Sequence, residues 1–115
     1  MFGFDYNVRY FVCATPVDMR NSFDGLAGVV RNFMQKTPTS GAVFIFFNKN
    51  RTHVKLLFWD TDGFTLYYKR LEQGRFQACT ATCDTSIEVD KITLNMLLEG
   101  VKIDQMRRLK RYKIQ

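Results

Sequence analysis

The sequence predicts an α+β domain: a mostly antiparallel sheet, a meander of about four to five strands, with one main packed helix, a second short helix and a basic C-terminal extension. Three observations carry that prediction. Short runs rich in aromatic and β-branched residues alternate with turn-forming residues. One stretch has apolar residues at three/four spacing. The last fifteen residues hold Lys102, Arg107, Arg108, Lys110, Arg111 and Lys113 against the single acid Asp104, and so carry five of the six net positive charges. The expected organisation is one α+β domain over 1–100 and a basic tail over 101–115.

Val8 to Ala14 reads as the first strand, stopped at Thr15-Pro16 because proline has no N–H to give a ladder. The main helix follows, with Asp18 or Ser22 as the residue able to cap its first turn. Phe23, Leu26, Ala27, Val30, Phe33 and Met34 form its apolar stripe. Gly25 and Gly28 each cost that helix about 1 kcal/mol relative to alanine, which suggests close packing on a sheet or a neutral accident.

Lys36 to Gly41 is a loop by composition, and the apolar run Ala42 to Phe47 is a covered strand. Lys49 to Thr52 turns the chain back into a partner strand over Val54 to Trp59. Thr61-Asp62-Gly63 makes a second tight turn, with glycine expected at positive φ, and Phe64 to Leu71 completes the meander. Gln73-Gly74 turns again into a short edge strand over Phe76 to Thr80, and Ile87 to Val89 is a weaker strand. Asp90 caps a short helix over Lys91 to Glu99, with Ile92, Met96 and Leu97 as its apolar face and Gly100 as its C-terminal cap.

Eleven phenylalanines in 115 residues fill one core without disulfides. No window of about 18 uncharged apolar residues exists, and the start Met1-Phe2-Gly3-Phe4-Asp5 lacks a signal-peptide pattern, so a cytoplasmic location with no membrane partner is expected. Cys13 reads as a buried thiol. Cys79 and Cys83 lack a second cysteine pair, and the only histidine, His53, is distant in sequence, so ordinary reduced thiols are expected and no metal or cofactor.

Asp60 and Asp62 could hold a divalent cation in a nuclease-like enzyme, but both are better explained as turn formers and no base or nucleophile accompanies them. No catalytic residue is assigned. The basic–aromatic combination is the stronger signal. Residues of one parity share a strand face, so Lys49, Arg51, His53 and Lys55 project together if the strand begins early. Lys69 and Arg70 approach from the next strand, while Trp59, Tyr67 and Tyr68 build the sheet. Such a ribbon, joined by Arg107, Arg108, Lys110 and Arg111 of the tail, suits phosphate contacts on DNA. A solvated sheet face is the bland alternative.

Three blocks add a resemblance. They are Pro16-Val17-Asp18-Met19-Arg20-Asn21-Ser22-Phe23-Asp24-Gly25-Leu26, the pair Val43 to Asn48 and Val54 to Asp60, and Gly63 to Phe76; Leu97-Leu98-Glu99-Gly100 before the basic tail also fits. In this order they resemble the small accessory protein, the second-reading-frame product, of the IS-sixty-six family of bacterial insertion sequences. The resemblance implies a non-enzymatic factor assisting transposition beside a separate large transposase, binding DNA or a DNA–transposase complex. The alternative it leaves open is a protein-interaction module that docks on the transposase without DNA affinity. Members often carry a denser arginine cluster at the hairpin. Here Asn50, Thr52 and His53 dilute it, which shifts weight to the tail.

Overall fold

A computed structural model describes residues 7–77 and 84–101. The first strand, β1 (Tyr10–Cys13), leads through helix α1 (Phe23–Asn32) to β2 (Val43–Phe47). Then β3 (His53–Asp60) and β4 (Gly63–Arg70) complete the expected meander. A short β5 (Arg75–Phe76) precedes β6 (Ser86–Val89), α2 (Lys91–Leu98) and a final β7 (Gly100–Val101). The main sheet has five strands in the order β4-β3-β2-β1-β6, and β5 pairs with β7 in a two-stranded ladder. Among the described strands only β1 and β2 run parallel, and α1 lies on the crossover that a parallel pair requires. The fold is α+β.

The sheet is covered on both faces, which explains why all five residues of β2 are buried. On one face, Phe11, Cys13, Phe44, Phe46 and Leu57 pack with Leu26, Ala27, Val30 and Met34 from α1 and the turn after it. On the other, Tyr10, Val12, Val43, Ile45, Val54 and Leu56 pack with Leu94, Leu97 and Leu98 of α2. A ten-residue helix is too short to persist alone in water. Burial of Leu26 and Val30, each at 0% exposure and each contributing about 1.5–3 kcal/mol, holds α1 in place. Two members of the predicted stripe, Phe23 and Phe33, are exposed instead.

Several local expectations are corrected. Ser22 is the N-cap of α1 but its side chain caps nothing. Asp18 instead shapes the preceding loop, accepting from the Arg20 backbone N–H at 2.8 Å and from the Arg20 guanidinium. Gly25 meets not the sheet but the Asn21 side chain, and the space beside Gly28 is open apart from Asn32 Nδ2 at 4.0 Å. In the β3–β4 turn the positive φ falls on Thr61, at 53°, and Gly63 simply opens β4. That is the first position of a primed hairpin turn, where left-handed backbone is required.

In α2, Asp90 caps as expected by accepting from the Thr93 N–H. Its buried face, however, is Leu94-Leu97-Leu98, and Ile92 and Met96 are 73% and 53% exposed. Gly100 is not a left-handed cap, since the helix leaves through Glu99 in extended conformation. Its lack of a side chain matters for packing instead: a Cβ there would sit 3.1 Å from both methyl carbons of Leu71, which would have to give by a few tenths of an ångström. The β5–β7 ladder pairs Arg75 with Val101, so paired structure reaches the first residue assigned to the tail. The rest of the tail and Cys79 and Cys83 lie outside the described residues. Cys13 is buried, as anticipated.

Candidate nucleic-acid interface

The candidate site is built at the end of the sheet where β2 turns into β3 and where β4 finishes. Asn48 organises the turn. Its Oδ1 accepts from the backbone N–H groups of Thr52 and His53 at 2.9 and 3.0 Å, which fixes the orientation of the amide. Its Nδ2 therefore donates, to Thr52 Oγ1 at 3.0 Å and to His53 Nδ1 at 3.2 Å. Thr52 Oγ1 also lies 2.8 Å from His53 Nδ1, so the imidazole is tied into the turn by this nitrogen. Arg51 sits at φ 59° within this turn, so the strand begins only at His53.

That late start changes the predicted grouping. Lys49 and Arg51 belong to a turn and share no strand face with His53 and Lys55. Lys49 is exposed, with no hydrogen bond or ion pair among the described residues. Arg51 is half-buried, and its Nη1 donates to the Gln77 carbonyl at 3.4 Å. Its own carbonyl accepts from the Phe76 N–H at 2.7 Å, which draws β5 and the exposed Arg75 against the turn. Sequence reasoning missed Arg75. It stands at the end of the Gly63–Phe76 block, and its position beside the turn depends on that one backbone bond.

Strand alternation sorts the rest. His53 pairs with Arg70 and Lys55 with Tyr68, on the sheet face that α1 covers. Lys55 is only 5% exposed, and its Nζ donates to the Met19 and Asn21 carbonyls at 2.8 and 2.6 Å. The same ammonium lies 4.6 Å from the Tyr68 ring centroid. Lys55 thus ties the loop before α1 to the sheet and presents no charge to solvent. Arg70 is exposed and paired with Glu72 at 2.8 Å, a surface contact worth little.

Lys69 is on the opposite face from Arg70, half-buried, with Nζ 3.4 Å from the Leu98 carbonyl at the C-terminal end of α2. A cation there complements the helix dipole. The described structure therefore gathers Lys49, Arg51, His53, Arg70 and Arg75 around one end of the sheet and sends Lys55 and Lys69 to internal carbonyls. Arg107, Arg108, Lys110 and Arg111 lie outside the described residues.

Asp60 and Asp62 flank the opposite turn, where Thr61 Oγ1 donates to Asp60 Oδ1 at 3.4 Å. Among the described residues no three His, Cys, Asp or Glu side chains come together to hold a metal. No described helix is long and apolar enough to cross a membrane.

The family described as IS66 Orf2 like protein matches residues 8–108 of this chain. An uncharacterized Sinorhizobium fredii protein, y4hO, is 32% identical over 95 residues, spanning 83% of this chain and 82% of its own. A second from the same organism, y4jC, also uncharacterized, is 27% identical over 108 residues, 94% of this chain and 92% of its own. No solved structure matches significantly.

Proposed function

This chain belongs to the IS66 Orf2-like family of insertion-sequence accessory proteins, and we propose that it serves transposition by binding DNA through the basic end of its sheet together with its C-terminal tail. The observation that carries this reading is the convergence of Lys49, Arg51, Arg70 and Arg75. One hairpin turn and one strand end bring them together, and Glu72 is the one acid in the stretches 48–55 and 67–77. Charges placed this way meet phosphates without reading bases, so the binding is expected to be weakly sequence-dependent. His53, held to the turn through Nδ1, lies on the same rim.

In this reading the chain supplies binding, and the strand chemistry belongs to a separate transposase. A second reading, docking on that transposase, is favoured by the exposed Ile92 and Met96 on α2.

A salt titration of duplex binding tests the proposal. If about six phosphates are neutralised, log K falls with log salt at a slope of about −5. Replacing Lys49, Arg51 and Arg75 with alanine should reduce that slope by two to three units, at about 0.9 for each phosphate no longer neutralised. Replacing Arg107, Arg108, Lys110 and Arg111 as well should remove most of the two to three units that remain. A slope untouched by both sets, or binding only when the transposase is present, moves the function to the docking reading.

A further inference from the structure

We propose that the outer edge of β4 is a self-association surface that joins two copies of this chain, antiparallel and across a two-fold axis, into one continuous sheet. The proposal shares Arg70 with the nucleic-acid reading but does not rest on it, and its test reads association rather than DNA binding.

β4 is an eight-residue edge strand, and among the described residues only β3 pairs with it. The other edge, β6, has four residues. Proteins usually blunt a long edge with proline, a bulge or an inward charge. Here the register with β3 is unbroken from Gly63 to Arg70, the strand contains no proline, and its one inward charge, Lys69, lies at the far end against the Leu98 carbonyl.

The phase of the ladder shows which groups face outward. The Leu71 N–H donates to the Thr52 carbonyl at 2.9 Å, so that pair exchanges hydrogen bonds and the alternation follows from it. Thr65 and Lys69 turn their backbone toward β3. Phe64, Leu66, Tyr68 and Arg70 turn theirs away, offering a row of donors and acceptors to a further strand. The side chains of these same four residues share the α1 face, and Tyr68 is 52% exposed.

Charge selects the direction and the register. The turn entering β4 holds the exposed acids Asp60 and Asp62, and the far end holds Lys69 and Arg70. A parallel copy would align like charges, whereas an antiparallel copy opposes them. Centring the axis on Leu66 sets Phe64 against Tyr68 of the other copy, Leu66 against its own image, and Arg70 beside the other copy's Asp62. Moving the axis to Tyr68 sets Phe64 against Glu72 and removes Asp62 from the contact. A two-fold contact must match its own image, and the first register does so at every outward position. This self-match is the reason to name a second copy rather than a foreign strand.

The test is sedimentation equilibrium of the full chain, with two sets of variants. Leu66→Pro removes an outward N–H while sparing the bonds to β3, and should give a monomer with an unchanged far-ultraviolet spectrum. Arg70→Asp should weaken the dimer about tenfold, and adding Asp62→Arg should restore it. A wild-type chain that stays monomeric up to millimolar concentration overturns the proposal. So does a dimer that the charge reversal leaves unchanged or that the double swap fails to restore, whatever Leu66→Pro does to folding.

Discussion

Lys55 separates the structural cations of this sheet from those available to a partner. The residue is 5% exposed, and its ammonium donates to the Met19 and Asn21 carbonyls at 2.8 and 2.6 Å. Lys55→Met keeps the aliphatic stem and removes only the donors. Hydrogen bonds to a charged group contribute about 1.5–3 kcal/mol each, so two would give about 3–6 kcal/mol. Two effects reduce that figure. The variant no longer desolvates an ammonium, and Met19 and Asn21 are only half-buried, so water can replace part of the loss. The expected cost is about 2–3 kcal/mol, a fall in Tm of roughly 10 °C for a domain of this size.

Urea unfolding followed by fluorescence of Trp59, the only tryptophan, measures this directly, because its ring packs edge-on against Phe64 at 5.1 Å. Lys49→Met is the control. Lys49 is exposed on the turn, so stability should change by less than about 0.5 kcal/mol while DNA affinity falls. Lys55→Met should do the opposite when assayed well below its unfolding midpoint. If it proves as stable as the wild type, or loses DNA binding while fully folded, the assignment of Lys55 to the interior is refuted.

Two further outcomes follow from the geometry. Gly28→Ala should stabilise the protein by about 0.5–1 kcal/mol in the same urea assay, since the added methyl meets only Asn32 Nδ2 at 4.0 Å. Gly25→Ala should give no such gain, because its methyl collides with the Asn21 side chain, which donates to the Asp18 carbonyl at 3.0 Å. Acid sensitivity should be visible below pH 4. Hydrogen bonds from Arg20 lower the Asp18 carboxyl from 3.8 to about 2, and Arg9 and Thr93 lower Glu88 and Asp90 respectively. Groups depressed on folding lend stability above their unfolded pKa and lose it as pH falls through the folded one, here from about pH 4 toward 2. Thermal melts at pH 6 and pH 2.5 should show a smaller difference for Asp18→Asn than for the wild type; an identical difference would remove Asp18 from the acid response.

Much of the fold could be read from the chain because its local signals agree. The run Val43–Phe47 is wholly apolar and flanked by Gly41 and Asn48, which suits a strand covered on both faces. Asp90 precedes a helical run and caps it. The errors arose where a short element offers two nearly equivalent choices. In α2, Ile92-Met96 and Leu94-Leu97-Leu98 both satisfy helical spacing over eight residues, and packing against Tyr10, Val12, Val54 and Leu56 decides between them. The basic face failed in the same way. The parity grouping held only if the strand began early, and the left-handed residue Arg51 keeps Lys49 and Arg51 in the turn, with the strand starting at His53.

The sequence by itself determined the element order, the family and the concentration of charge, because turn chemistry, apolar periodicity and charge runs are properties of neighbours along the chain. Only the tertiary structure decided which cations remain available. Lys55 and Lys69 look no different from Lys49 in one dimension, yet the loop before α1 and the end of α2 bring carbonyls to meet them. A buried ammonium must find acceptors, and those acceptors come from segments about 30 residues away, beyond the reach of any local rule.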